Sequence, residues 1–311
     1  MKNAVEGETA GDPMSSKKWQ RSSLRQVSRK LKEAGHAISA PTVARLLKAQ
    51  NYSLKANNKR LAGASHPDRN AQFEYLKSQK QAFLTAGLPV ISVDTKKKEL
   101  IGNFKNAGRS WCQEAEAVND HDFEHDALGK GAPYGIYNLN HNLGSVCVGT
   151  SADTPQFAVD AIAQWWSTEG SHLFPTASKI LILADAGGSN GCRPHLWKQQ
   201  LQEQLADRLG LEVTVCHYPT GTSKWNPVEH RLFGPISLNW AGKPLRTFEI
   251  MLGWIRGTTT QTGLTVNAWL NEKMYLKGIK VAKDVFQTLN IHHHPVCPNW
   301  NYTIQPHGSC T

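Results

Sequence analysis

Long apolar runs are missing from this sequence. Nowhere in its 311 residues does an uninterrupted apolar stretch approach the ~18 positions a membrane-spanning helix needs. A secretory leader is missing as well, because Met1 to Pro13 is polar and slightly acidic rather than basic and then apolar. So is any CxxC pair. The six cysteines, at 112, 147, 192, 216, 297 and 310, are scattered, which reads as reduced thiols of a cytoplasmic protein. Acidic residues are scarce in one place above all. Between positions 15 and 62 Glu33 alone faces twelve Lys and Arg side chains. With a net charge of +10 over the whole chain, the expected partner is a polyanion, nucleic acid ahead of an acidic membrane.

The basic segment is also periodic. Leu24, Val27 and Leu31 fall at helical spacing, with Gly35 placed to end that helix. Ser39 can cap a second helix, and Pro41 is tolerated in its first turn. Val43, Leu46 and Leu47 would face the core, leaving Thr42, Arg45 and Lys48 outward. Two short basic helices joined by a Gly-containing turn predict a helix-turn-helix, with Ser39 to Gln50 entering the major groove of DNA. A solvated hairpin that binds nothing is the plainer alternative. Residues 66–87 then predict a connecting helix, capped near Asp68 and ended by Gly87 and Pro89.

From 89 the pattern changes to strands. Val90 to Val93 is the first, Glu99 to Phe104 its expected hairpin partner, and 134–139 with 143–150 a further pair. A helix over 154–170 follows. Next come a strand at 179–185, a helix at 194–209, a strand at 211–217 and a helix opening at Asn226. This β-β-β-α-β-α-β-α order predicts an α/β fold with a mixed, ribonuclease H-like sheet flanked by helices. In that topology the first and fourth strands are parallel neighbours, which places Asp94 beside Asp185. The expected divisions are a basic helix-turn-helix region over 1–63, a connecting helix over 64–88, a catalytic domain over 89–260 and a C-terminal extension over 261–311.

Three acidic residues end these elements. Asp94 closes Pro-Val-Ile-Ser-Val-Asp. Asp185 closes Ile-Leu-Ile-Leu-Ala-Asp before Gly187, Gly188 and Gly191, and Glu229 lies in Ser-Lys-Trp-Asn-Pro-Val-Glu. Carboxylates at the carboxyl ends of buried strands stand where open α/β sheets bind ligands. Hard oxygen donors suit Mg²⁺ or Mn²⁺, and two such ions serve phosphodiester chemistry. Lys96, Lys97, Lys224, Trp225 and His230 are candidate contacts to phosphates and bases.

Each motif has an alternative. Asp94 could simply end a strand at a turn, and the glycine loop could cradle a nucleotide phosphate. Asn226 and Glu229 form the sequence of a helix capping box. His292, His293, His294, Cys297, His307 and Cys310 could hold zinc, although their spacing fits no standard module.

Three stretches together resemble the Rhodopirellula-type DDE transposases of bacterial insertion sequences: Val-Asp-Thr-Lys-Lys-Lys-Glu (93–99), Ala-Asp-Ala-Gly-Gly-Ser-Asn-Gly (184–191) and Gly-Thr-Ser-Lys-Trp-Asn-Pro-Val-Glu-His-Arg-Leu-Phe (221–233). Thr-Val-Ala-Arg-Leu-Leu (42–47), His-Pro-Asp-Arg-Asn-Ala-Gln-Phe-Glu-Tyr (66–75) and Trp-Asn-Tyr-Thr-Ile (300–304) are similar to further signatures of that family. The resemblance implies a ribonuclease H-like domain whose metal-binding triad falls on Asp94, Asp185 and Glu229. It also implies cleavage at element ends, strand transfer into target DNA, double-stranded DNA as partner and a homo-oligomer assembled on it. A bacterial cytoplasmic, nucleoid-associated setting follows. The chain opens inside what resembles the family's DNA-binding region, so an upstream helical segment is expected to be missing. Pro227 stands where a Lys is expected. The rival expectations are a DNA-binding protein without catalysis, and a nuclease that cuts without joining.

Overall fold

A computed structural model describes residues 9–11, 18–20, 23–50, 52 and 66–308. The chain divides into two compact units between Ala62 and Gly63. Each is considered by itself.

In the first unit, β1 (Thr9–Gly11) and β2 (Lys18–Gln20) form a short antiparallel ladder. Helix α1 (Leu24–Glu33) opens on a capping box: the Ser23 hydroxyl accepts from the Gln26 amide, and the Gln26 side chain accepts from Ser23 N–H. Gly35, at φ +85°, ends it in a left-handed conformation that a side chain would resist. Helix α2 (Ala40–Ala49) carries Pro41 in its first turn, and the Ser39 hydroxyl pairs with that of Thr42 instead of capping the backbone. Val27, Leu31 and Val43 make the small core, with Ile38 and Leu47 packed against it. Arg45 and Lys48 are exposed, and Thr42 is half-buried. Lys17, Arg21, Lys55, Lys59 and Arg60 lie outside the described residues.

In the second unit, helix α3 (Arg69–Thr85) leads into β3 (Val90–Thr95) and β4 (Glu99–Ile101). A long irregular stretch precedes β5 (Gly129–Asn138) and β6 (Leu143–Gly149). Helix α4 (Pro155–Trp165) then crosses to β7 (Lys179–Asp185), and α5 (His195–Leu201) to β8 (Glu212–Tyr218). Helices α6 (Gly234–Asn239) and α7 (Phe248–Arg256) precede β9 (Thr265–Asn271). The chain finishes with α8 (Lys283–Gln287), β10 (Ile291–His293) and β11 (Asn301–Ile304).

The main sheet runs β10-β11-β8-β7-β3-β5-β6-β9. Within it, β6-β5-β3-β7-β8 is the ribonuclease H-like order. β3 pairs antiparallel with β5 and parallel with β7, and β7 pairs parallel with β8. The inner strands are apolar on both faces because helices cover both. On one face α4 and α5 bring Phe157, Trp165 and Trp197 against Ile91, Ile182 and Val213. On the other, Leu232, Ile236, Met251 and Ile255 pack on Val146 and Val148.

One expectation is corrected here. β4 pairs with β5 at Gly129–Gly131 rather than with β3, because Lys96 N–H bonds to Pro133 O and leads the chain along β5. Helix α3 is more than a connector: Leu76 packs on Leu181, Leu183 and Cys216 of the sheet. The C-terminal extension 261–311 widens the sheet on both sides, β9 pairing with β6 and β11 with β8.

The signature stretches 66–75 and 300–304 meet. Gln72 Nε2 donates to Asn301 Oδ1 and His217 O, each at 2.8 Å, while Asn301 Nδ2 donates back to Gln72 Oε1 at 2.6 Å. Both side chains are fully buried, so their amides are satisfied by this reciprocal pairing together with His217 O and Val296 O.

Candidate active site at the strand ends

The parallel register between β3 and β7 aligns Val93 with Ala184, so the next residues, Asp94 and Asp185, emerge together from adjacent strand ends. Glu229 arrives from the other direction, at the start of a wide π-type turn, Glu229–Phe233, that leads into α6. Such turns occur preferentially at functional positions. The carboxyl groups of Asp94 and Glu229 lie within hydrogen-bonding reach, Asp94 feels the charge of Asp185 and then of Glu229, and Asp185 feels that of Glu229.

Few donors answer this negative charge. Thr95 N–H donates to Asp94 Oδ1 at 2.8 Å, and Asn226 Nδ2 donates to Asp185 Oδ1 at 3.2 Å. Burial, followed by the charge of Asp185, pushes the Asp94 carboxyl up to about 8. Burial raises Asp185 to about 6 against the lowering effect of the Asn226 amide. Carboxylates held this close and this dry are short of positive charge, which a hard divalent cation would supply. Among the described residues no three His, Cys, Asp or Glu side chains converge on one point as they stand.

The Asp185 backbone is held from beneath by a directed hydrogen-bond chain. Its carbonyl can only accept, so His217 Nδ1, 2.9 Å away, carries the proton. His217 Nε2 must then accept from Tyr302 O–H at 3.1 Å, and Tyr302 oxygen accepts from Trp197 Nε1–H at 2.9 Å. Burial holds His217 down to about 4, so it stays the neutral tautomer this chain requires. Sequence reading missed His217 and Tyr302. Its one available signal was the 300–304 signature, which carries Tyr302.

The capping-box reading of Asn226 does not hold. The Asn226 side chain is wholly buried and turned into the site, bonded to Ser92, Val93 O and Asp185. The turn beginning at Glu229 has no side-chain cap.

The expected cationic and aromatic contacts divide. Lys97, Lys224 and His230 are exposed, and Trp225 is 55% exposed with the Lys224 ammonium 5.3 Å from its ring centre. Trp225 also packs edge-on against Phe73 of α3. His230 Nε2 bonds to Lys224 O. Lys96 is turned away from solvent, paired with Glu99 and stacked 4.8 Å over Trp240. It is committed to the fold and is corrected as a free phosphate contact.

Beside the carboxylates lies a cleft of about 620 Å³ lined by Asp153, Ser189, Arg193, His195, Leu276 and Lys280 among others. Thr95 Oγ1 links it to the site through bonds to Asp153 at 3.2 Å and Ser189 at 3.3 Å. Neither Arg193 nor Lys280 makes an ion pair among the described residues.

The histidine tract does not converge. His292 bonds to Asn290, His293 to Pro298 O, and His294 to Tyr75 and Thr303. Cys310 lies outside the described residues. No described helix is long and apolar enough to cross a membrane.

Comparison with known proteins gives one extensive match. The profile of the Rhodopirellula transposase DDE domain matches residues 1–306. Among curated proteins nothing matches. Among solved structures, the Mos1 transposase paired-end complex with left transposon end is similar at 12% identity and a TM-score of 0.46, covering 75% of this chain and 65% of that one. The Mos1 mariner paired end complex with Mn is similar at 14% identity and a TM-score of 0.44, with 75% and 65% covered. This chain thus spans just under two thirds of those proteins.

Proposed function

This chain belongs to the Rhodopirellula transposase DDE-domain family, and from that premise we propose that it is an insertion-sequence transposase using Asp94, Asp185 and Glu229 as its metal-binding triad. The observation that supports the proposal is the emergence of Asp94 and Asp185 side by side from the ends of β3 and β7, with Glu229 within hydrogen-bonding reach of Asp94 and few donors to answer them.

A pair of Mg²⁺ or Mn²⁺ ions bound there would activate the attacking oxygen and stabilise the leaving oxygen of an in-line displacement. Asp94, which feels both other carboxylates, would hold the metal together with Asp185 and Glu229. Asn226 and the His217–Tyr302 chain hold Asp185 in place. Water attacks the scissile phosphorus at an element end and the 3′ oxygen leaves as a hydroxyl. That 3′-hydroxyl then attacks a target phosphodiester, forming one P–O bond as another breaks.

Double-stranded DNA is the partner, at both the element ends and the target. Arg45 and Lys48 on α2 supply end recognition, together with Thr42 where the helix enters the groove. Lys97, Lys224, Trp225, His230 and the basic wall of the cleft follow the strand near the reacting phosphate. Two ends need two active sites, so the working form is a homo-oligomer on DNA in a bacterial nucleoid.

The test is a cleavage-and-joining assay on DNA carrying the gene's own flanks, with Mg²⁺ or Mn²⁺, comparing the wild type with Asp185→Asn. Metal-dependent nicking at the flanks that vanishes in the variant, with joined products, supports the proposal. Nicking without joining would make the protein a nuclease. Binding without cutting by the wild type would leave only a DNA-binding protein.

A further inference from the structure

Asn226 and Ser92 lie 134 positions apart in the chain and both are wholly buried. Their hydrogens can be assigned by accounting alone. Val228 N–H donates to Ser92 Oγ at 2.9 Å, so the Ser92 hydroxyl proton is free to point elsewhere, and its other neighbour is Asn226 Oδ1. That fixes which end of the Asn226 amide is oxygen, a choice otherwise open to a flip. The two amide protons then face Val93 O at 3.1 Å and Asp185 Oδ1 at 3.2 Å, both pure acceptors. One acceptor and two donors on a two-atom stem is what Asn offers. Leu has the shape without the donors.

The consequences reach two of the three carboxylates. Asn226 makes the one hydrogen bond that the Asp185 carboxylate receives among the described residues. Glu229 N–H bonds back to Asn226 O at 3.1 Å, and Val228 is pinned to Ser92, so the same lock sets where the Glu229 turn begins. Asn226 also bridges β3, through Val93, to the end of β7.

We propose that Asn226, locked in orientation by Ser92, is a positioning residue that presets Asp185 and Glu229 for divalent-cation binding. This rests on the metal-site reading above. The amide supplies a neutral donor that fixes the Asp185 carboxylate without cancelling its charge.

Because Asn226 also ties strands together, the test separates stability from metal affinity. The full-length wild type, Asn226→Leu, Ser92→Ala and Asp185→Asn are titrated with Mn²⁺ by calorimetry, and each is melted in EDTA. Cleavage is followed as kcat and KM for DNA. Asn226→Leu is expected to weaken Mn²⁺ binding by about 10–100-fold, as loss of a partner that orients a ligand does elsewhere. Its kcat should fall while its KM for DNA stays put. Ser92→Ala leaves the amide present but unlocked, so it should weaken Mn²⁺ binding less and in the same direction, which covers the case of Asn226→Leu failing to fold. Wild-type Mn²⁺ affinity in either folded variant, even with a lowered melting temperature, overturns the proposal and leaves a purely structural strut. Equal Mn²⁺ binding by the wild type and Asp185→Asn is a different result: it removes the metal site itself, and this inference with it.

Discussion

Two clusters in this chain carry metal-ligand residue types, and they differ in what their polar atoms have left to do. At the strand ends, Asp94, Asp185 and Glu229 crowd together with one backbone and one side-chain donor between the two aspartates. At 292–297 each histidine nitrogen that bonds has found an ordinary partner: Asn290 for His292, Pro298 O for His293, and Tyr75 and Thr303 for His294. Strand geometry adds to this. β10 alternates its side chains, so His292 and His293 point to opposite faces and cannot converge. Ligand chemistry alone therefore does not make a site. What distinguishes the first cluster is crowded acidic groups that no ion pair answers among the described residues.

The sharpest way to break the comparison is by substitution. Asp94→Asn, Asp185→Asn or Glu229→Gln should each cut the rate of flank cleavage by roughly 10³-fold or more. Replacing His292, His293 and His294 together by Ala should leave cleavage near the wild-type rate when assayed below the melting temperature. A triple variant that binds DNA normally but no longer cuts would put the histidines in the chemistry.

The two clusters should also respond to pH with opposite sign. Asp94 and Asp185 are held up to about 8 and about 6, so the folded protein keeps protons that the unfolded chain has already released. Without metal, stability should then fall as pH rises from about 4 to about 8. Melting in EDTA is expected to be lower at pH 8 than at pH 5 by roughly a few degrees, and Asp94→Asn should flatten most of that slope. His294 is held below its usual value of 6.5 by burial and then by His293. Its contribution is present above that value and lost as pH falls below it. A metal-free stability that keeps rising to pH 8 would contradict the crowding of the carboxylates.

Smaller effects sharpen the picture of the histidines as structural. His294→Ala leaves the Tyr75 and Thr303 hydroxyls without that partner and should cost about 1–3 kcal/mol in chemical denaturation. His292 is exposed with a bond to Asn290 alone, so His292→Ala should stay within about 0.5 kcal/mol of wild type. A large loss at His292, reversed by added Zn²⁺, would restore the zinc reading.

How much could be read in advance follows the range of the interactions. The strand ending in Asp185 is an uninterrupted apolar run and the one ending in Asp94 is broken only by Ser92, and their β-β-β-α-β order predicts parallel neighbours, as β3 and β7 are. Helix ends were legible for the same local reason, as at Gly35 and Gly87, both at positive φ. Lys96 and Asn226 were misread because their neighbours in sequence are not their neighbours in space. Lys96 found Trp240. Asn226 found Ser92 across the fold in place of the helix start its spacing suggests.

The sequence by itself determined the periodic elements, their order and the three acidic residues at their ends, because those depend on side chains within a few positions of one another. Only the tertiary structure decided which polar atoms meet. The Asn226–Ser92 lock joins residues 134 positions apart, the His217–Tyr302 bond 85, and the Gln72–Asn301 pair 229. The outer strands β9, β10 and β11 were settled the same way. Once the chain is buried, each donor must find an acceptor wherever packing has brought one, and no local spacing records where that is.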